Sequence, residues 1–343
     1  MKIAIVGPFH ANIGFGGVEN HVHYLSEYLE REGVEIERHS WKIRKDEANL
    51  KAVSLFNLQK CFEQTNADIV HLHSSAITAS LLCSFSNPKN MVAATIHAFY
   101  HPEFETTFKM KLISILMKAP YINALKRLQN ITTSRFMRGE SEQYGIQIKA
   151  VIPNGIASDS IRSTKTRKEY ESDVVMVGRF TEQKGVYDFI NAFSNSGLKA
   201  VLLGYGESYV EQEIRKLCEK NRIKCICRPD RDTILQYIKS SHIYALPSKY
   251  EPFGIVGLEA MALEKPIVVY RVAGGPIDFV EHNVNGLIIE NNPYALKKAV
   301  ISLINDTKKL SQMSKKALET SKEYNWPNIA KKTKDFYSSL LLK

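Results

Sequence analysis

The sequence contains no run of about 18 apolar residues, which excludes a membrane-crossing helix on length alone. Its five cysteines, Cys61, Cys83, Cys218, Cys225 and Cys227, are odd in number and include no C-x-x-C pair. That argues against a disulfide framework and a thiolate metal site, and for reduced thiols in the cytoplasm. Cys225 and Cys227 would share one strand face, where thiols read as apolar packing. No secretory leader is expected, because Met1-Lys2-Ile3-Ala4-Ile5-Val6-Gly7 is too short for an apolar leader core and offers no small-residue cleavage site. The net charge is +10, yet neither a recognition motif nor ordered interleaving of aromatic and basic residues accompanies it, so no nucleic-acid partner is expected.

The chain does hold enough apolar residue, 44% of 343 positions, for two ordinary cores. Apolar runs at 2–6, 34–38, 67–72, 91–96 and 151–152 predict strands, and helices are predicted at 18–32, 50–65 and 136–144. Alternation with few two-residue hairpin signals predicts an α/β fold with parallel sheets. The polar stretch 159–172 has little apolar periodicity and reads as a linker between a first domain, 1–158, and a second, 173–322. Trp326-Pro327-Asn328-Ile329-Ala330 opens a final helix, assigned to 325–343.

Glu251 and Glu259 stand eight positions apart in an E-x7-E segment after the apolar run Ile243 to Leu246. Pro252 predicts a helix start, because its fixed φ suits the first turn and its missing N–H costs nothing there. The amides of Phe253, Gly254 and Ile255 would then face a phosphate at the positive helix end. Glu259, roughly 8 Å along the helix, would meet ribose hydroxyls, with Glu251 at the sugar. Read alone, the pair equally fits a helix with an acidic first turn and a solvated Glu259. A second segment sharpens the choice: Val174 to Phe180 is a strand ending at Arg179, followed by Lys184-Gly185. Two cations at the carboxyl end of a strand suit a departing diphosphate without help from a metal.

With these pieces the chain resembles the retaining glycosyltransferases of family 4. The resemblance is carried by Gly16-Gly17-Val18-Glu19, Asp68 to His73, Thr95-Ile96-His97, Pro153-Asn154-Gly155-Ile156, Gly178-Arg179 with Lys184-Gly185, Glu251 to Glu259, and Gly274-Gly275-Pro276 with Asn285-Gly286-Leu287. It implies the GT-B fold, with two Rossmann-like domains whose parallel sheets face across a cleft and a C-terminal helix crossing back to the first domain. The implied first domain binds the acceptor and the second binds the nucleotide sugar. The implied activity is retaining, metal-independent transfer of a hexosyl unit from a nucleoside-diphosphate sugar to a hydroxyl of a glycan or lipid-linked acceptor, with no cofactor. In that reading Arg179 and Lys184 bind the leaving diphosphate, Glu251 the sugar and Glu259 the ribose, and His97 borders the acceptor side.

The glycine loop Gly14-Phe15-Gly16-Gly17 fails the dinucleotide fingerprint at Glu19, but Gly16 and Gly17 still let the backbone approach a ligand closely, which the resemblance implies is donor phosphate or acceptor. Arg228 follows the strand expected beneath the nucleobase and is a candidate to stack on it. His71 and His73 would share a strand face, as in metal-dependent hydrolases, but no convincing further ligands accompany them and no metal is assigned. A hydrolase using His71 and His73, or a sugar-nucleotide epimerase on the same fold, is the alternative. The run Phe108 to Lys118 is apolar with interleaved lysines and is read as closing at Pro120. It fits contact with an anionic membrane at the cytoplasmic face or, equally, a buried helix with snorkelling lysines.

Overall fold

The computed structural model describes residues 1–9, 17–41, 50–52, 65–73, 91–105 and 107–342. The chain divides into two compact units, Met1–Gly155 with Trp326–Lys343, and Ile156–Asn325.

The first unit runs β1 (Lys2–Gly7), α1 (Gly17–Arg31), β2 (Glu35–Ser40), β3 (Leu50–Ala52), β4 (Ile69–Leu72), β5 (Met91–Ile96), α2 (Phe108–Leu125), β6 (Gln129–Thr132), α3 (Arg135–Gln143) and β7 (Ile148–Val151). The strands form one parallel sheet in the order β3-β2-β1-β4-β5-β6-β7. Strands β1 and β4 are buried throughout except at Lys2, which explains their unbroken apolar reading. Order reverses between β1 and β4, so the carboxyl ends of these two strands flank a topological switch point, where open α/β sheets bind ligands.

Two expectations for this unit are corrected and one strand is added. Leu50, expected to open a helix, begins the short edge strand β3, and the rest of that segment lies outside the described residues. Helix α2 passes through Pro120 and ends at Leu125. The proline removes one backbone hydrogen bond, but Tyr121, Ala124 and Leu125 beyond it are buried and hold the last turn in place. Strand β6, not anticipated, carries the buried Asn130, whose carboxamide donates to the carbonyls of Leu125 and Leu128.

The second unit runs α4 (Ser158–Arg162), β8 (Ser172–Arg179), α5 (Val186–Phe193), β9 (Ala200–Tyr205), α6 (Ser208–Lys220), β10 (Lys224–Cys227), α7 (Arg231–Ser240), β11 (Ser241–Leu246), α8 (Ile255–Ala262), β12 (Ile267–Tyr270), β13 (Gly286–Ile289), α9 (Pro293–Asn305) and α10 (Thr307–Ser321). Its parallel sheet has the order β10-β9-β8-β11-β12-β13, with the switch between β8 and β11. Apolar clusters lie on both faces of this sheet, one around Phe189 and Phe193, the other around Leu258 and Met261. Cys225 and Cys227 pack beside the first of these clusters. The stretch 159–172, expected as a linker, instead carries most of α4, and Ile161 is buried in the second cluster. A single anchoring side chain among polar neighbours gives too little periodicity to read. The final helix, α11 (Trp326–Leu341), belongs to the first unit and packs along α1.

Candidate active site

In the second unit the loops after β8 and β11 meet at the switch point. Glu182 to Lys184 form one tight helical turn, closed by Gly185 at φ 72°. A Cβ on Gly185 would sit 1.9 Å from the carbonyl oxygen of Pro247, so only glycine lets the two loops lie this close. The approach brings Lys184 Nζ within 2.5 Å of Glu251 Oε2, both side chains being more than four-fifths buried. Ser248 Oγ donates to the same carboxylate oxygen at 3.4 Å. The Glu251 backbone is fixed as well: its N–H donates to Ala273 O at 2.7 Å and its carbonyl accepts from Gly275 N at 2.8 Å. Arg179 stands exposed at the end of β8 and makes no ion pair among the described residues.

The helix does not begin at Pro252. Glu251 bridges to Gly274 in strand fashion, Phe253 is buried against Phe279, and Gly254 at φ 89° turns the chain into α8 at Ile255. Phe253 is thus a core anchor, and the backbone amides that open the helix are those of Ile255 and Val256. Glu259 is 5% exposed rather than solvated, because α8 is buried on nearly all sides. Its Oε1 accepts from Arg231 Nη2 at 2.7 Å.

Arg231 was not anticipated. It follows Asp230, whose side chain accepts from Thr233 N at 2.6 Å and starts α7. Asp230-Arg231-Asp232 therefore has Asp-x-Asp spacing, but Asp230 is occupied as a helix cap. Arg228 adopts φ 52°, and its guanidinium is held by Gly206 O at 3.0 Å and Glu211 Oε1 at 2.9 Å, which ties it to the loop after β9.

In the first unit, four histidines meet at the carboxyl ends of β4 and β5, His71 within β4, His73 and His97 just past the two strands, and His21 from α1. His71 has both ring nitrogens engaged, Nδ1 with Tyr337 Oη of α11 at 2.5 Å and Nε2 with Thr95 Oγ1 at 2.8 Å. That leaves no nitrogen for the metal role weighed for His71. His73 Nδ1 lies 3.2 Å from His97 Nε2. His21, on the buried face of α1, completes the group, its ring centroid 5.0 Å from those of both His73 and His97. Trp326 covers His21 with ring centroids 5.4 Å apart. Burial pushes His21 down to about 4 and His71 to about 3. His73 and His97 are held well below the usual histidine range by burial first and by one another's neighbours second. All four rings are neutral at physiological pH. Gly17 opens α1 in an exposed position, while Gly16 lies outside the described residues.

The family Glycosyltransferase Family 4 matches residues 15–160, and the family Glycosyl transferases group 1 matches residues 158–320. Between them, the two glycosyltransferase models span residues 15–320 of the chain. An uncharacterized glycosyltransferase of Methanocaldococcus jannaschii is 33% identical over 49% of this chain and 45% of its own. The chain thus spans about half the length of that relative. The UDP-Gal:alpha-D-GlcNAc-diphosphoundecaprenol alpha-1,3-galactosyltransferase of Escherichia coli is 26% identical over 84% of this chain and 80% of its own. Among solved structures, Anabaena HepE in complex with UDP-glucose superposes with a TM-score of 0.77 at 19% identity, covering 99% of this chain and all of HepE. That likeness confirms the GT-B architecture of two Rossmann-like units.

Proposed function

We propose that this chain is a retaining hexosyltransferase that uses a nucleoside-diphosphate sugar and transfers to a hydroxyl of a glycan or lipid-linked acceptor. The observation that carries the reading is the assembly of Lys184, Glu251 and Arg179 at the switch point, with the buried Glu259 on the next helix. Arg179 and Lys184 would compensate the charge that grows on the leaving diphosphate, as preorganised cations do in a site shielded from water. Glu251, fixed at both its backbone and its carboxylate, would accept hydrogen bonds from sugar hydroxyls. Glu259 has one carboxylate oxygen on Arg231 and would offer the other to the ribose. In this reading the acceptor hydroxyl attacks from the departing side with a donor phosphate oxygen taking its proton, and His97 borders the acceptor. Two cations supply the electrostatic stabilisation, so the transfer step calls on no metal or other cofactor.

For the acceptor, α2 points to a membrane-held substrate. Phe108, Ile115 and Leu116 are 83%, 59% and 62% exposed, with Leu112 beside them and exposed Lys109 and Lys111 interleaved. Apolar side chains rimmed by cations suit the interface of an anionic bilayer. Among the described residues no helix is long and apolar enough to cross a membrane, so attachment would be peripheral at the cytoplasmic face. The lipid diphosphate in the printed name of the Escherichia coli relative supports the same class of acceptor.

A melting-temperature screen against nucleoside diphosphates and their sugars, with chelator present, tests the donor reading, since a ligand of the native state alone raises the transition. A shift with one nucleotide that Glu251→Ala reduces is the expected result. No shift with any nucleotide would overturn the assignment.

A further inference from the structure

The histidine group of the first unit holds more unused ligating capacity than a hydrogen-bonded cluster requires. His21 Nδ1 and His73 Nε2 are buried without hydrogen-bond partners. Leaving such a nitrogen unpaired costs about 1–3 kcal/mol, which a metal on His21 Nδ1 would offset, while His73 would ligate through its other nitrogen, Nδ1, which faces His97. His21, His73 and His97 can each direct one ring nitrogen so that the three lie within 4.8 Å of one another. His73 Nδ1 and His97 Nε2 are hydrogen-bonded to one another at 3.2 Å. Two imidazole nitrogens bound to one tetrahedral zinc at 2.0–2.1 Å lie about 3.3 Å apart, so this pair already has the edge length of such a site. Closing the third nitrogen on it requires a shift of about 1.5 Å at most, within reach of a small ring rotation.

We propose that His21, His73 and His97 form a transition-metal site that takes one Zn²⁺ or a similar imidazole-seeking dication, leaving one coordination position open. Imidazole donors suit zinc, cobalt, nickel and copper and do not suit magnesium or calcium. A metal binds the lone pair of a neutral imidazole, so an ion here replaces the proton shared between His73 Nδ1 and His97 Nε2. His97 is only partly buried, which gives an ion a way in. The Asn154 side chain lies beside His21 and its Oδ1 is buried without a hydrogen-bond partner, an acceptor of the kind that orients a ligating ring through its other nitrogen. His71, with both nitrogens committed to Tyr337 and Thr95, packs against His73 and stays outside the ligand set.

The site has a consequence that rests on the transferase reading. A metal on His97 occupies a ring placed beside the acceptor, so occupancy inhibits transfer while the donor residues of the second unit remain free.

The test uses the full chain, free of any histidine tag and stripped with chelator, titrated with Co²⁺ alone and then with Zn²⁺ in competition. Expected are one equivalent bound, ligand-field bands of a tetrahedral nitrogen site, and displacement by Zn²⁺. His97→Asn is the variant least apt to disturb folding, and it and His21→Asn should each weaken Co²⁺ binding by more than the roughly 10- to 100-fold that loss of an outer partner costs. His23→Asn, on the same helix, should bind as the parent does. Absence of saturable one-to-one binding, or unchanged affinity in folded His97→Asn, overturns the proposal. A cobalt–thiolate charge-transfer band would move the metal to a cysteine and overturn it equally. Because these titrations contain no nucleotide, their failure leaves the donor reading intact, and failure of nucleotide binding leaves the metal site intact.

Discussion

Acidification should destabilise the first unit before carboxylate protonation becomes important. His21, His71 and His73 are buried, His97 is partly buried, and all four are neutral in the fold, His21 with its pKa down to about 4 and His71 to about 3. In the unfolded chain each returns to about 6.5, so the unfolded state binds the extra protons and stability falls as pH falls. The contribution is complete above the unfolded value and is lost on the way down towards the folded ones. From pH 7.5 to 5, one such histidine is worth about 2 kcal/mol, and four are worth about 8 kcal/mol at most. Rings that swing into water return part of that. Since a whole domain is stable by about 5–15 kcal/mol, even half the sum is large, and it corresponds to a fall of roughly 10 °C in melting temperature. Glu37, held at about 2 by Lys2 and Thr65 against its own burial, acts only below about pH 4.5, outside this window. Scanning calorimetry of the full chain at pH 7.5 and 5 measures the effect, and His21→Leu should reduce the slope by about 1.4 kcal/mol per pH unit. A first-unit transition that stays in place between these pH values would refute the neutral-cluster argument.

Gly185→Ala meets the Pro247 carbonyl and keeps a left-handed backbone, so it should cost the second unit more than about 2 kcal/mol in urea denaturation. Lys184→Met leaves Glu251 without its cation; turnover should fall by at least about 100-fold, the scale of losing one transition-state electrostatic partner, with an unchanged circular dichroism spectrum. Arg231→Ala frees the Glu259 carboxylate to turn, and nucleoside diphosphate affinity, read by calorimetry, should weaken about tenfold, or about 1.4 kcal/mol. Replacing Phe108, Ile115 and Leu116 together by serine should abolish flotation with anionic vesicles and leave nucleotide binding untouched; equal flotation of parent and variant would remove α2 from the membrane reading.

The residues whose chemistry follows from local sequence were legible, and those defined by what folds over them were not. Both Glu251 and Lys184 stood out because each follows a buried strand at a point where parallel sheets gather ligands. Their ion pair did not, because it depends on Gly185 admitting the Pro247 carbonyl across 62 positions of sequence. The helix start slipped by three residues because local proline preference lost to the burial of Phe253 and the bridge from Glu251 to Gly274. Arg231 is invisible for the same reason, since its partner Glu259 lies 28 positions away and is buried only through α8. His21 is different, because a signal was present. It shares a helical face with Leu25 and Leu29 at i, i+4 and i+8, so its inward direction is fixed by period alone. A polar ring on an apolar helix face must find a partner in the core. The strand ends carrying His73 and His97 supply the only rings that meet it from the sheet among the described residues, apart from His71, which is already bound. Read that way, the helix period and the order of β1, β4 and β5 together require the histidines to converge, and convergence without protons is the condition under which a metal competes best for their nitrogens.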